Sequence, residues 1–465
     1  MYFKREIWKK LLFWKNEQKQ VTLEVHGARQ VGKTFILKKF CQSEFENFIY
    51  MNMAEKSGRD FLVSIAEMQE KYHKREVESF HVFDLLKGYD PAFEDSENTV
   101  VVIDEIQESA EVYNLIREFT RGLRARFIVT GSYLGKVLDK EFFLPVGDLA
   151  TLTVHSLSFL EYLDIFGLKE VQAECYKQKK PDEAIKKHFE IYLRIGGYPA
   201  VIKKYLQTGS VSECRKVLTH IIDMFISESL RYFSEINDFD VFRDLMSAIT
   251  ILAAKEKQGT NLIEDVVNIV AKRGTNRLSK DTASKAIAWL RTSGIIGYAT
   301  KLIDGDALSQ VSHARFYFQD IGVAGFFMSS TGVNVSIQKG ILAENYVYMV
   351  LRNQYYPGSL AEISQEVIGF EPMFSVYEKT GGELDFIVCG KFGGKKYGIE
   401  VKAGRNRANT GRVMLNSGLI DHLYLLEGVT SGGETDCTTT LPLYLADQLE
   451  LQFHMEGQME LFFFS

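Results

Sequence analysis

The chain is 465 residues long, with 46% hydrophobic residues, 25% charged residues and a formal net charge of -6. That length exceeds a single ordinary domain, and the composition is typical of a globular protein rather than a disordered one. The acidic balance excludes a protein that coats nucleic acid through its overall charge, although local basic patches are compatible with it.

Five widely separated cysteines without a CxxC pair indicate free thiols in a reducing compartment rather than a zinc site or a disulfide framework. No apolar run reaches the ~18 residues that a membrane-spanning helix needs. We therefore expect a cytoplasmic protein that makes no membrane contact.

A phosphate-binding loop is predicted near the N-terminus. A β-prone run, Thr22–His26, precedes a helical pattern, and the residues between them match GxxxxGK[ST]. In such a loop the glycines permit a tight turn that aims backbone N–H groups at phosphate oxygens. Lys33 would reach the β- and γ-phosphates, and the Thr34 hydroxyl would bind Mg²⁺. The predicted nucleotide-binding residues are Gly27, Ala28, Arg29, Gln30, Val31, Gly32, Lys33 and Thr34.

Two later strands are predicted to complete this site. The apolar run Val100–Ile103 ends in Asp104 and Glu105, as expected of a buried parallel strand with acids at its carboxyl end. Asp104 would hold Mg²⁺, directly or through water, and Glu105 would polarise the attacking water. The run Arg126–Thr130 ends at Thr130 and is followed by Ser132, either of which is a candidate sensor of the γ-phosphate.

These segments resemble the prokaryotic AAA-type ATPases that carry a C-terminal DUF4143 region. The resemblance rests on residues 27–34, on Ile-Asp-Glu-Ile-Gln-Glu at 103–108 and on Ile-Val-Thr-Gly-Ser at 128–132. It extends to Lys-Arg-Glu at 4–6, Ser-Leu-Ser-Phe-Leu-Glu at 156–161 and Gly-Gly-Tyr-Pro at 196–199. It implies ATP as the nucleotide and a helical lid over the nucleotide site.

The chain departs from that family at Gly147-Asp148, where relatives often have Gly-Arg. If the arginine of the relatives contacts nucleotide or a neighbouring subunit, another residue must do so here. Arg121, Arg124 and Arg126 are the candidates for a charge-neutralising finger, and an oligomer is compatible with the sequence.

The middle of the chain is predicted to be helical up to about residue 235 and then to follow the order of a winged helix-turn-helix. Leu262–Val270 and a second helix capped by Ser279 precede a strand that turns at Asp304-Gly305. A basic cluster, residues 272–291, could contact DNA phosphates. The alternative is that this region packs only against its own chain. The basic cluster consists of Lys272, Arg273, Arg277, Lys280, Lys285 and Arg291.

The C-terminal region is predicted to contain a β-hairpin formed by the alternating runs 383–388 and 396–403. With a period of two, Asp385 on the first strand and Glu400 and Lys402 on the second point to one side, opposite Leu384, Phe386 and Val388. A second basic cluster, residues 391–412, surrounds these groups and would suit a polyanionic substrate.

This arrangement of two acids and a lysine resembles the PD-(D/E)xK nuclease fold. The resemblance implies that Asp385 and Glu400 hold one or two Mg²⁺ ions and that Lys402 orients the attacking water or stabilises the transition state. Glu344 on a preceding predicted helix is the candidate that completes the metal site. A solvated salt bridge is the other reading of such an ExK strand, and some proteins of this fold only bind.

The sequence therefore predicts an α/β protein in four parts. These are a P-loop AAA-type parallel-sheet domain (1–154), a helical lid (155–238), a winged helix-turn-helix (239–335) and an α/β restriction-nuclease-like domain (336–465). The predicted function is an ATP-hydrolysing switch that acts on DNA through a metal-dependent phosphodiesterase site. The alternative is a non-cleaving switch whose C-terminal domain only binds a protein or nucleic acid.

Overall fold

The fold is described from a computed structural model. It covers residues 2–18, 20–74, 81–131, 140–232, 239–253, 262–272, 278–355, 372–389, 395–402, 409–428 and 432–451. Within these ranges no helix is both long and apolar enough to cross a membrane.

The N-terminal region is built around a five-stranded, all-parallel sheet with the order β2-β3-β4-β1-β5. The predicted strands before the phosphate-binding loop and before Asp104, and the predicted helix after the loop, are confirmed. Every residue of β3 is buried, which explains its continuous apolar sequence. The strands are Thr22–His26 (β1), Asn47–Asn52 (β2), Thr99–Asp104 (β3), Arg126–Thr130 (β4) and Leu149–Thr153 (β5). The helices are Ile7–Asn16 (α1), Lys33–Glu44 (α2), Lys56–His73 (α3), Val82–Tyr89 (α4), Ala110–Asn114 (α5) and Ile116–Gly122 (α6).

The next region is helical, as predicted. Its helices are Phe159–Ile165 (α7), Lys169–Gln178 (α8), Glu183–Ile195 (α9), Pro199–Thr208 (α10) and Val211–Tyr232 (α11). The chain turns between α9 and α10 at Gly196, whose φ is 72°. A Cβ there would lie 2.2 Å from Asp320 Oδ1, and the Gly197 N–H donates to Asp320 Oδ2 at 2.8 Å. Only glycine fits this turn, because a side chain would displace the carboxylate that holds it.

Residues 239–318 follow the predicted order of helices and then a hairpin. The elements are Phe239–Ala253 (α12), Leu262–Lys272 (α13), Lys280–Thr292 (α14), Ile296–Ile303 (β6) and Asp306–Phe318 (β7). The Ser279 side chain caps α14 by accepting from the Thr282 N–H, and the hairpin turns at Asp304 and Gly305, both with positive φ. Trp289 and Leu290 on α14 are buried. The assignment as a winged helix stays a prediction.

The C-terminal region forms a mixed sheet that includes this hairpin, in the order β12-β13-β11-β10-β9-β8-β6-β7. The predicted antiparallel pairing of the 383–388 and 396–403 runs is confirmed as β9 and β10. The helices are Ile321–Met328 (α15), Val335–Tyr355 (α16) and Asn409–Asn416 (α17). The strands are Met373–Tyr377 (β8), Gly382–Cys389 (β9), Lys396–Lys402 (β10), His422–Glu427 (β11), Gly433–Thr435 (β12) and Thr438–Pro442 (β13).

The prediction of one core face for this hairpin was wrong. Phe386 and Ile399 pack in the cluster that contains Tyr348 of α16, whereas Leu384 and Ile387 pack with Met414 of α17. Helices therefore cover both faces of the sheet, and Glu400 is only 3% exposed. Period-two reasoning assumed one solvated face, which an alternating sequence suggests but does not require.

The helical region also contacts the end of the C-terminal region. Gln172 Nε2 donates to the Tyr444 carbonyl at 2.7 Å, and the Asp182 N–H donates to the Tyr444 hydroxyl at 2.8 Å. The helical region that follows the P-loop domain is thus hydrogen-bonded to the end of the C-terminal region.

Candidate functional site

The phosphate-binding loop has the backbone geometry that its glycines predict. Gly27 and Gly32 have φ values of 135° and 96°, and a Cβ on Gly27 would lie 2.1 Å from the Val154 carbonyl oxygen. Gly32 is also the N-cap of α2 and has no side chain to cap it. The first N–H groups of α2 are therefore available to a phosphate, and the helix dipole favours an anion there.

Lys33 is held in place by the loop itself. It is 8% exposed, and its Nζ donates to the carbonyl oxygens of Gly27 at 2.6 Å and Ala28 at 3.0 Å. Burial lowers the pKa of Lys33 to about 8, although the nearby carboxylates of Glu105 and Asp104 oppose this shift. Among the described residues, the hydrogen-bond partners of this ammonium group are these two backbone carbonyls. When a nucleotide binds, phosphate oxygens can replace the carbonyl oxygens as acceptors.

Thr34 and Asp104 meet as predicted, although they lie on different elements. The Thr34 hydroxyl donates to Asp104 Oδ2 at 2.8 Å, and Asp104 is 3% exposed. Tyr50, which sequence reasoning missed, donates its hydroxyl to the same oxygen at 2.8 Å. The site thus offers a hydroxyl and a carboxylate, the hard oxygen ligands that Mg²⁺ prefers.

Glu105 has an unusual backbone conformation at the end of β3. Its φ and ψ are 51° and 42°, in the left-handed region that non-glycine residues seldom adopt. Its Oε2 accepts a hydrogen bond of 2.6 Å from Nε2 of Gln107, which is 1% exposed. Gln107 therefore fixes the direction of the carboxylate predicted to polarise water.

Replacing Gln107 by alanine is expected to lower kcat for ATP hydrolysis about tenfold with little change in KM, because Glu105 loses its support while the P-loop is untouched. Steady-state phosphate release measures both constants. Gln69→Ala is the matched control, since Gln69 makes a similar bond to Glu111 on the surface. An unchanged kcat in Gln107→Ala would contradict the positioning role.

Of the two residues predicted to sense the γ-phosphate, the structure describes Thr130 but not Ser132. Thr130 is fully buried, and its hydroxyl donates to the Val25 carbonyl of β1 at 2.8 Å. It therefore links β4 to β1, and a sensor role for it stays a prediction. Ser132 lies outside the described residues.

An ion pair joins the P-loop to the helical region. Arg29 Nε lies 2.5 Å from Oε2 of Glu228 on α11, and the Glu228 side chain is 7% exposed. Both charges act on the pKa of Lys33, which places them beside the phosphate site. Sequence reasoning did not find Glu228, because nothing in a long helix marks the residue that faces the loop.

The motifs at 4–6 and 156–161 meet behind the loop. Arg5 donates to the Val31 carbonyl at 3.1 Å and to the His155 carbonyl at 2.7 Å, and its Nε lies 3.1 Å from Glu161 Oε1. Glu161 also completes a capping box with Ser158 at the start of α7. Arg5 thus fixes the P-loop backbone relative to the first helix of the lid.

A cavity of about 220 Å³ opens beside Gly32, at the start of α2. Phe35, one residue after Thr34, lines it and is 57% exposed. An aromatic ring left in solvent beside a phosphate site is suited to stacking on a nucleobase. Phe3, Leu157, Pro199 and Lys203 line the other sides.

The three candidate finger arginines all have partners within the chain. Arg121 Nε lies 2.9 Å from Asp148 Oδ1, Arg124 Nη2 lies 3.4 Å from Glu97, and Arg126 donates to the Glu17 carbonyl at 2.9 Å. Asp148, which stands where relatives often have arginine, also binds Arg117. This acid therefore organises a local pair of arginines.

The predicted acids of the C-terminal region do come close to one another. The Asp385 carboxylate accepts from the Val401 N–H at 2.7 Å, and Lys402 Nζ lies 2.8 Å from Glu400 Oε1. Burial and the neighbouring carboxylate of Glu344 raise the pKa of Asp385. Strands β9 and β10 and helix α16 thus bring together the four residues that the sequence singled out.

Two residues that the sequence did not single out complete this cluster. Arg315 Nη1 lies 3.4 Å from Glu344 Oε1, the Tyr317 hydroxyl donates to the same oxygen, and Arg315 also pairs with Glu383. In the part of the chain that the structure describes, no three His, Cys, Asp or Glu side chains are arranged to hold a metal ion together. The metal site of Glu344, Asp385 and Glu400 stays a prediction.

Three members of the first basic cluster contact other side chains of the protein. Lys280 lies 3.0 Å from Glu264, Lys285 lies 2.8 Å from Asp281, and the Arg291 guanidinium lies 3.9 Å from the ring centroid of Tyr298. Arg273 and Arg277, and residues 391–394 and 403–408 of the second cluster, lie outside the described residues.

Comparison with known proteins gives two family matches. Residues 19–163 match the model of an AAA domain, and residues 186–333 match a domain of unknown function, DUF8612. The DUF4143 part of the sequence resemblance stays a prediction. No curated protein matches the chain significantly.

Several solved structures are similar at low identity. A Walker-type ATPase of Pyrococcus abyssi is 18% identical over 70% of this chain and 96% of that chain, with a TM-score of 0.45. The Orc1 protein of Aeropyrum pernix in complex with DNA is 13% identical over 71% and 93%, with a TM-score of 0.29. The RuvB Holliday junction branch migration motor of Thermotoga maritima is 15% identical over 63% and 89%, with a TM-score of 0.30.

These structural likenesses are too distant to carry an argument about function, so the AAA match and the geometry of the site are decisive. The matched residues contain the five-stranded parallel sheet, the phosphate-binding loop and the contact between Thr34 and Asp104. Residues 19–163 therefore form an AAA-type P-loop domain, and the chain is an ATPase.

Proposed function

We propose that the chain is a Mg²⁺- and ATP-dependent switch whose nucleotide state controls a C-terminal domain that acts on nucleic acid. The proposal that the chain binds Mg²⁺ and ATP rests on one observation. Lys33, Thr34 and Asp104 lie together at the N-terminus of α2. Mg²⁺ held there by Thr34 and Asp104 would neutralise charge on the β- and γ-phosphates.

The chain's own groups would perform the remaining steps. Lys33 and the first N–H groups of α2 bind the phosphates, and Phe35 stacks on the base. Glu105, held by Gln107, accepts a proton from the attacking water. The choice of ATP over GTP rests on the family resemblance.

The Arg29–Glu228 ion pair supports a way in which nucleotide binding could move the helical region. A buried carboxylate beside Lys33 repels a triphosphate, so nucleotide binding favours separation of Glu228 from the loop. Helix α11 would move with it, and contacts between α8 and Tyr444 link the helical region to the C-terminal region. Each ATP cycle would thus reposition the C-terminal sheet.

In this proposal the C-terminal domain cleaves nucleic acid at a metal-dependent phosphodiesterase site. Asp385, Glu400 and Glu344 would be the metal ligands, and Lys402 would stabilise charge that develops on the phosphate. The proximity of these four groups supports this role. DNA would be held by the basic clusters at 272–291 and 391–412. A cytoplasmic location belongs to the same proposal.

A second candidate is a switch that binds nucleic acid or protein without cutting. The contacts of Arg315 and Tyr317 with Glu344, and of Lys402 with Glu400, favour it. They already occupy one carboxylate oxygen of Glu344 and one of Glu400, two of the oxygens that a metal would need. In that case the acids and Arg315 form a structural network that joins α16 to the sheet.

A nuclease assay separates the two candidates. Single- and double-stranded DNA and RNA are incubated with the full chain, ATP and either Mg²⁺ or Mn²⁺. Cleavage that falls at least ~100-fold in Asp385→Asn is expected for the first candidate, because the metal loses a ligand. Glu378→Gln, an exposed acid in the turn before β9, is the control that should cleave normally.

Absence of cleavage on every substrate would leave the non-cleaving switch. Cleavage that persists in Asp385→Asn would remove the site assignment. Cleavage by the parent that does not depend on ATP and is unchanged in Lys33→Ala would remove the control by nucleotide while leaving the phosphodiesterase.

A further inference from the structure

A second cavity lies behind the phosphate-binding loop, on the side away from α2. This rear cavity has a volume of about 330 Å³ and is bounded by Gly27, Ala28, residues 153–156, the end of α14 with β6, and α16. The turn after α14 touches the loop closely, because a Cβ on Gly294 would lie 3.2 Å from the Ala28 nitrogen. The rear cavity shares the loop residues Gly27, Ala28 and Val31 with the triphosphate site, but Lys33, Thr34, Asp104 and Glu105 do not line it.

The rear cavity is lined by basic side chains. Arg291 and Arg352 reach it from α14 and α16, with His155 at a third side. Among the described residues that line the cavity there is no aspartate or glutamate. His26 also lines it, but its Nε2 is paired with Glu24 at 2.7 Å and contributes nothing to the argument. Within the described ranges Arg291 has no carboxylate partner and lies instead over the ring of Tyr298.

Among the described residues, two side chains that line the cavity carry a buried polar atom with no hydrogen-bond partner. The atoms are His155 Nε2 and Gln319 Oε1. Burial, together with the nearby positive charges of Arg352, Arg5 and Lys10, lowers the pKa of His155 to about 3. Unsatisfied buried polar groups are uncommon, and a cavity lined by Arg291 and Arg352 with no acid among its described lining residues favours an anionic ligand.

We propose that the rear cavity is a second ligand site, separate from the triphosphate site, which binds a phosphorylated small molecule of about the size of a nucleoside monophosphate. Guanidinium groups and a histidine N–H suit phosphate oxygens, which they bind through charge-assisted hydrogen bonds. The volume falls within the range of small-molecule pockets, and Tyr298 and Tyr348 contribute aromatic side chains to the lining. Binding at this site does not depend on the proposed function of the C-terminal domain.

Isothermal titration calorimetry on the full-length Lys33→Ala variant tests the site, since that substitution disables the triphosphate site. The probes are AMP, ribose 5-phosphate and adenosine. We expect AMP and ribose 5-phosphate to bind and adenosine to bind at least tenfold more weakly, because it lacks the phosphate. Adding Arg291→Gln should weaken AMP at least tenfold, and Arg291→Lys should weaken it less because the charge is kept.

Arg59→Gln, which removes an exposed arginine on α3, is the control for loss of charge. Unfolding temperature is measured for each variant, so that lost binding is not confused with lost folding. The proposal is overturned if neither phosphorylated probe binds Lys33→Ala at millimolar concentration. It is also overturned if adenosine binds as well as AMP, or if Arg291→Gln and Arg59→Gln have the same effect.

Discussion

Replacing Lys33 by alanine is expected to weaken ATP binding roughly 100-fold and to abolish measurable hydrolysis, because its buried Nζ lies against the Gly27 and Ala28 carbonyls of the loop, whereas the other loop cation, Arg29, is paired with Glu228. Titration with a fluorescent ATP analogue and assay of phosphate release measure the two effects. Lys56→Ala, an exposed lysine at the start of α3, is the control. Hydrolysis at the parental rate in Lys33→Ala would refute the assignment of the phosphate site.

The buried state of Lys33 adds a pH dependence to this expectation. Its pKa of about 8 means that the ammonium form, which phosphate requires, is already present at pH 7. Above pH 8 binding has to take up a proton, so ATP affinity should fall by up to ~10-fold per pH unit. The measurement is the affinity of the parent between pH 7 and 9.5. A flat profile would contradict the role of burial.

Replacing Glu105 by glutamine is expected to reduce the rate of hydrolysis about 100- to 10,000-fold while leaving ATP binding close to normal. The amide keeps the shape of the side chain and its neighbour Gln107 but cannot accept the proton of the attacking water. Single-turnover hydrolysis and nucleotide titration on the same preparation separate the two effects.

Glu108→Gln provides the matched control, since Glu108 is an exposed acid three residues further along the same turn. Full hydrolysis in Glu105→Gln would show that another group activates the water. Loss of binding in that variant would instead assign Glu105 a role in holding the nucleotide.

The P-loop half of the site could be predicted because its chemistry is local. Gly27, Gly32, Lys33 and Thr34 are adjacent in the chain, and the acids follow a strand whose burial on both faces gives an unbroken apolar run. Parallel strands then bring Asp104 to the same edge of the sheet as the loop. The loop motif and the burial of the following strand are therefore enough to predict this part of the site.

The supporting residues could not be predicted, because each depends on tertiary contact. Tyr50 reaches Asp104 from a neighbouring strand, and Glu228 reaches Arg29 from a helix about 200 residues later. Gln107 belongs to the segment Ile-Asp-Glu-Ile-Gln-Glu at 103–108, and its position two residues after Glu105 is the one feature of the sequence that indicates a contact with that carboxylate. Arg315 belongs to the hairpin, and no pattern in the sequence relates it to Glu344 on α16.

The single C-terminal sheet limits how this protein can move. Strand β6 pairs with β7 on one side and, in parallel, with β8 on the other, with Leu302 opposite Ser375 and Ile303 opposite Val376. Separating the hairpin from the rest of the sheet would leave these backbone groups unpaired. Strands β6 to β11 should therefore move together as one rigid unit. A fragment that ends near residue 335 would expose a bare strand edge and is expected to aggregate.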